Sequence, residues 1–153
     1  MAVKPMNKTV ISGSQFTKYT PYLVMEGKCL PPPTNRKQRE KEYVTSGSDK
    51  KIGGGIQRFK LGKHGGRLEV AAIIGYIHEN DCKHWFKEIN CWIVQLSGTA
   101  QKHGEKWSNK EQLTNFTPDA EGKTAKAIST HSRSNSFTNT ICIEHYWVEI
   151  SMA

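Results

Sequence analysis

The chain has 153 residues with 22 Lys and Arg against 14 Asp and Glu, a formal net charge of +8. That is enough chain for one domain, 1–153, with a real core, and the charge favours anionic partners without choosing among nucleic acid, acidic glycans and lipid head groups. A hydrophobic fraction of 36%, a mean hydropathy of −0.63 and no apolar run near the roughly 20 residues needed to cross a bilayer exclude an integral helical membrane protein.

Residues 1–10 hold Lys4 and Lys8 but no apolar core and no small-residue cleavage site. A cytoplasmic product, or one exported without a recognisable signal peptide, is therefore expected. Strand-like runs then follow one another between turn residues: Thr9 to Ser12, Tyr19 to Met25, Lys41 to Thr45, Ile56 to Leu61, Arg67 to Ile77, Asn90 to Leu96, Lys123 to Ser129 and Thr140 to Ile150. Gly13, Pro21, Gly27, Gly47, Gly62, Gly65-Gly66, Gly98, Pro118 and Gly122 punctuate them.

Asp81 to Asn90 and Lys106 to Phe116 lack Gly and carry helix formers, and Ser108 with Glu111 three residues on fits a capping box. The expected class is mainly β, a sandwich with one or two short flanking helices. Cys29, Cys82, Cys91 and Cys142 are expected as free thiols, most of them in apolar or strand-like surroundings. The run Asn35 to Lys41 after Pro31-Pro32-Pro33 reads as a solvated loop, because Glu40 and Glu42 break its positive charge.

His78, Cys82, His84 and Cys91 are close in sequence, but their spacing matches no common structural zinc arrangement. No nucleophile elbow, HExxH motif or recognisable acidic pair is present, so catalysis and cofactors are not expected. The basic residues are scattered singly, without an RNA-binding signature. His78, Glu79, Asn80 and Asp81 beside Trp85, at the exit of an apolar strand, combine short polar groups with an aromatic ring. That is the combination a sugar needs for its hydroxyls and its C–H face.

The order Glu42-Tyr43-Val44, Ser46-Gly47-Ser48, Arg58-Phe59-Lys60, Gly65-Gly66, Val70-Ala71-Ala72 and His78 to Trp85 resembles the fungal fruit-body lectins of the actinoporin-like fold. Asn109 to Thr114 and Gly122-Lys123 extend the likeness, with Asn109 standing where that family has Arg. The resemblance implies an actinoporin-like β-sandwich lectin that recognises galactosyl or N-acetylhexosamine glycans without transforming them. It implies contacts from Gly47, Ser48, His78 and Asn80, with Glu88 at a second sugar site, and a homo-oligomer whose partners are glycans or glycoproteins. The sea-anemone cytolysins are similar over Leu68 to Ile89. Their pore-forming amphipathic segment has no counterpart in Met1 to Ile11. A lipid head-group module of the same fold, and a basic nucleic-acid-binding or capsid-like β-domain, are the alternatives.

Overall fold

A computed structural model describes residues 1–4, 9–11, 14–16, 21–46, 52–99, 101, 103–133 and 136–150. In chain order the elements are β1 (Ala2–Val3), β2 (Thr9–Ile11), β3 (Ser14–Phe16), β4 (Leu23–Leu30), α1 (Arg36–Arg39), α2 (Gly55–Lys60), β5 (Val70–Ile77) and α3 (Cys82–Ser97). A 3-10 turn (Asn109–Glu111), β6 (Thr114–Pro118), β7 (Thr124–Ser132) and β8 (Thr140–Glu149) complete them. Six strands form one mixed sheet in the order β1-β4-β5-β8-β7-β6, and β2 and β3 pair separately.

The three central strands β4, β5 and β8 are parallel, whereas β1, β7 and β6 join antiparallel. Parallel neighbours need long crossovers, and these carry α1 and α2 between β4 and β5, then α3 between β5 and β8. The protein is thus mainly β with few helices, as its composition implies. Its layering differs from a sandwich, because α2 and α3 rather than a second large sheet close the core face.

Period-two burial marks that inner face: Ala71, Ile73 and Ile77 on β5, Ala125, Ala127, Ser129 and His131 on β7, and Ile141, Ile143, His145 and Trp147 on β8. On α3 the buried residues are Cys82, Trp85, Ile89, Trp92 and Ile93, the spacing of one helical face. Asp81 starts this helix, its side chain accepting from the His84 amide at 2.6 Å. The helix expected over Asp81 to Asn90 therefore runs on to Ser97 and absorbs the strand expected over Asn90 to Leu96. The run from Cys91 to Leu96 looks strand-like in isolation, but Trp92 and Ile93 continue the stripe begun by Trp85 and Ile89.

The strand expected over Ile56 to Leu61 is instead the helix α2, which ends at Lys60, and the strand expected over Lys41 to Thr45 is a turn. The two corrections have one cause. The amides of Gly55, Ile56 and Gln57, at the start of α2, donate to the carbonyls of Glu42, Tyr43 and Val44 at 2.9, 3.1 and 2.9 Å. The turn thus satisfies the helix amides that have no partner within the helix. Gly54 permits the approach, since a Cβ there would lie 2.2 Å from Thr45 Cα.

The segment from Lys106 to Phe116 keeps only its predicted start. Ser108 Oγ accepts from the Lys110 amide at 3.3 Å while the Ser108 amide donates to Glu111 Oε2 at 3.2 Å. One turn later the chain enters β6. The free thiols are as expected; burial, aided by Glu149, pushes that of Cys82 up to about 12. Among the described residues no helix is long and apolar enough to cross a membrane.

At the centre of the inner face, Gly75 makes room for the indole of Trp147: a Cβ there would sit 2.3 Å from Trp147 Cδ1. Trp147 is fully buried and in ring contact with Phe86 and Phe116, so it has little room to retreat. Gly75→Ala is expected to cost about 1 to 3 kcal/mol through overpacking. Urea unfolding followed by tryptophan fluorescence checks this, and an unchanged midpoint would show that the indole yields freely.

Candidate binding cleft at the carboxyl ends of β4 and β5

Leu30 and Ile77 are register partners, so β4 and β5 end together at one edge of the sheet. In open sheets with parallel strands, that carboxyl edge is where ligands characteristically bind. After β4 the chain turns through Pro31 and Pro32 into α1; after β5 it turns through His78 to Asn80 into α3. Between these two exits lies a cleft of about 460 Å³ lined by Pro31, Pro32, Arg36, Lys37, Glu40, His84, Trp85, Glu88 and Trp92.

The prolines and indoles give the cleft an apolar floor, and charged groups from α1 and α3 surround it. Trp85 is held from two sides: its Nε1 donates to the Glu79 carbonyl at 2.8 Å, and its ring meets Trp92 at 6.1 Å and His84 at 5.2 Å between centroids. Arg36 pairs with Glu79 at 2.8 Å, tying α1 to the loop after β5. Lys41 Nζ donates to Gln95 Oε1 at 2.6 Å, joining the chain after α1 to α3. The Arg36–Glu79 and Lys41–Gln95 contacts thus join α1 and the chain after it to segments far away in sequence.

Of the residues singled out from the sequence, Glu88 lies in this cleft, half-buried on α3. His78 is exposed at the same edge, and its amide donates to the Leu30 carbonyl at 2.8 Å, beside the Pro31 wall. Asn80 has φ 65°, a left-handed turn position suited to Asn, and its side chain is exposed. His78 and Asn80 are outside the lining of the cleft, and Gly47 and Ser48 lie outside the described residues.

The sequence reading missed Arg36, Lys37 and Glu40. The basic run expected as a solvated loop contains α1, with Arg39 Nε on Glu42 Oε2 at 2.6 Å. Polar residues following three prolines were the available signal, but nothing local ties them to a helix some fifty residues onward.

A second polar arrangement lies inside the core. Tyr43 Oη and His145 Nδ1 are 2.9 Å apart, and Ser129 Oγ bridges His145 Nε2 at 2.8 Å and His131 Nε2 at 2.7 Å. His131 Nδ1 stands 3.7 Å from Glu111 Oε2, and Glu111 Oε1 accepts from Lys60 Nζ at 2.6 Å. The Ser132 amide and hydroxyl donate to the same oxygen at 2.8 and 3.0 Å, and the Lys60 ammonium lies 4.8 Å from the centre of the Trp107 ring.

Burial disfavours charge throughout this array. It raises the Tyr43 phenol far above its usual range and lowers His145 to about 3, with His131 adding to the effect. It would also raise Glu111, but the close approach of His131, the hydrogen bond from Lys60 and the charge of both outweigh it and hold that carboxylate down to about 2. At neutral pH Glu111 is therefore ionised and His145 neutral, while burial lowers Lys60 against the hydrogen bond and charge of Glu111 that raise it.

Comparison with protein-family models, with curated proteins and with solved structures returns no match.

Proposed function

We propose that this protein is a glycan-binding protein, a lectin-like module whose sugar site is the cleft between α1 and α3. The observation that carries the reading is the composition of that cleft: an apolar floor of Pro31, Pro32, Trp85 and Trp92 with Arg36, Glu40, His84 and Glu88 around it. A sugar ring buries its C–H face on such a floor, and its hydroxyls pair with carboxylate, imidazole and guanidinium groups. Arg36 and Lys37 further favour a glycan with an acidic substituent. The galactosyl or N-acetylhexosamine preference implied by the lectin resemblance is part of this proposal, and avidity from several copies of one weak site is its physiological form.

A glycan array identifies the ligand, and calorimetry on the best binder tests the site. Glu88→Ala is expected to weaken binding by about 1 to 3 kcal/mol through lost and unpaired hydrogen bonds, with little change in melting temperature. His78→Ala is the comparison. If His78→Ala abolishes binding while Glu88→Ala leaves it intact, the site is the loop after β5 and not the cleft. Absence of any glycan bound by the wild type would overturn the reading as a whole.

A further inference from the structure

Parallel strands occur almost only in sheets covered on both faces, because crossover helices and other layers bury them. Here α2 and α3 cover one face of β4, β5 and β8, and among the described residues no helix covers the opposite face. By strand alternation that face presents Met25, Ile74, Tyr76, Ile128, Tyr146 and Val148. Tyr76, Tyr146 and Val148 are each 38% exposed, well above what core residues tolerate. The Tyr76 ring passes over Gly27, its Cε2 3.2 Å from where a Cβ on that glycine would be. Met25, Ile74 and Ile128 are half-buried and Ala72 on the same face is buried, so the exposed part is the patch of Tyr76, Tyr146 and Val148.

We propose that this face pairs with the same face of a second copy of the chain across a two-fold axis. The charge distribution selects that occupant. The chain carries +8 overall, and a net charge of one sign opposes association of copies. On the outward positions of β4, β5, β8 and β7, however, the charged residues are one of each sign, Lys126 and Glu144. They are diagonal neighbours, since Lys126 is registered with Tyr146 and Glu144 with Ile128. A groove of about 220 Å³ separates side chains around them.

Under a two-fold operation each Glu144 can meet the other copy's Lys126, so one patch is complementary to itself, as an isologous interface requires. Tyr146, whose hydroxyl donates to Glu144, sits beside that pair and supplies the apolar anchor of the kind found at interface centres. The pairing stands apart from the glycan reading, because the cleft is built by α1 and α3 on the covered side of the sheet.

Sedimentation equilibrium on the purified full chain tests it. The wild type is expected to be a dimer at about 0.1 mM or below. Val148→Arg is expected to yield monomers with an unchanged far-UV spectrum. Lys126→Glu and Glu144→Lys should each weaken the dimer at least about tenfold, and the double variant carrying both should restore it, or an equimolar mixture of the two single variants should associate. A monomeric wild type at that concentration overturns the proposal and leaves the face to another kind of partner. A dimer indifferent to Val148→Arg and to the charge exchange overturns it equally.

Discussion

Lys60→Met is expected to lower the unfolding free energy by about 3 to 5 kcal/mol, the cost of leaving a buried charge without its partner. Lys60 is 1% exposed and Glu111 4% exposed, so the pair is largely shielded from solvent. Glu111 would remain fixed by Ser132 and the Ser108 amide, its carboxylate turned towards a methyl group. The loss exceeds that of an exposed pair such as Lys123 with Glu121, where about 1 kcal/mol or less is at stake. Urea unfolding of Lys60→Met, Glu111→Gln and the double variant forms a cycle. The double variant should cost clearly less than the sum of the singles, and strict additivity would show that the pair does not act as a unit.

Acid should unfold the protein well before its exposed carboxylates account for it. His145 has an ordinary value near 6.5 but is held at about 3 in the fold, so below pH 6.5 the unfolded chain takes a proton that the native state refuses. Stability contributed in this way is complete above the unfolded value and falls as the pH drops from about 6.5 towards 3. Burial lowers His131 as well, acting in the same direction. Glu111 adds a second loss between its ordinary value of 4.5 and about 2. The unfolding free energy measured from pH about 7 to about 4 should decline throughout, and His145→Gln should remove up to about one proton from the slope. A flat profile over that interval would mean that His145 is protonated in the native state.

Both results turn on side chains that the sequence presents without warning. The strands expected over Lys123 to Ser129 and Thr140 to Ile150 are there, the first running on to Ser132 into a tract whose Ser, Thr and Asn content reads as loop. Ser129 and His145 fall within those expected strands at inward positions, whereas His131 lies beyond the expected end of the first and its burial is seen only in the fold. What satisfies them is not legible, since Tyr43 reaches His145 across 102 positions of chain and Lys60 reaches Glu111 across 51.

Helices were the weaker part of the reading, for an energetic reason. A short apolar segment such as Ile56 to Leu61 has no intrinsic period long enough to decide its conformation. Its helix is settled by the carbonyls of Glu42, Tyr43 and Val44 that receive its amides. The cleft had the same property. Trp85 and Glu88 stood in the suspected region, but the opposite wall came from α1, which only the closure of the β4 and β5 crossovers brings near.

The place of β8 in the sheet bears on how the protein comes to be folded. It is the last described strand in the chain, yet it lies between β5 and β7 and is hydrogen-bonded to both. During synthesis the β4–β5 pair and the β6–β7 hairpin can form early, each exposing an unpaired edge where β8 belongs. Only the arrival of residues 140–149 joins the halves, closing the two open edges in one event and seating Trp147 on Gly75. Assembly is therefore governed by a late, sequence-distant insertion, the kind of step that sets a slow folding rate and leaves a nascent chain most exposed to wrong pairing just before it completes.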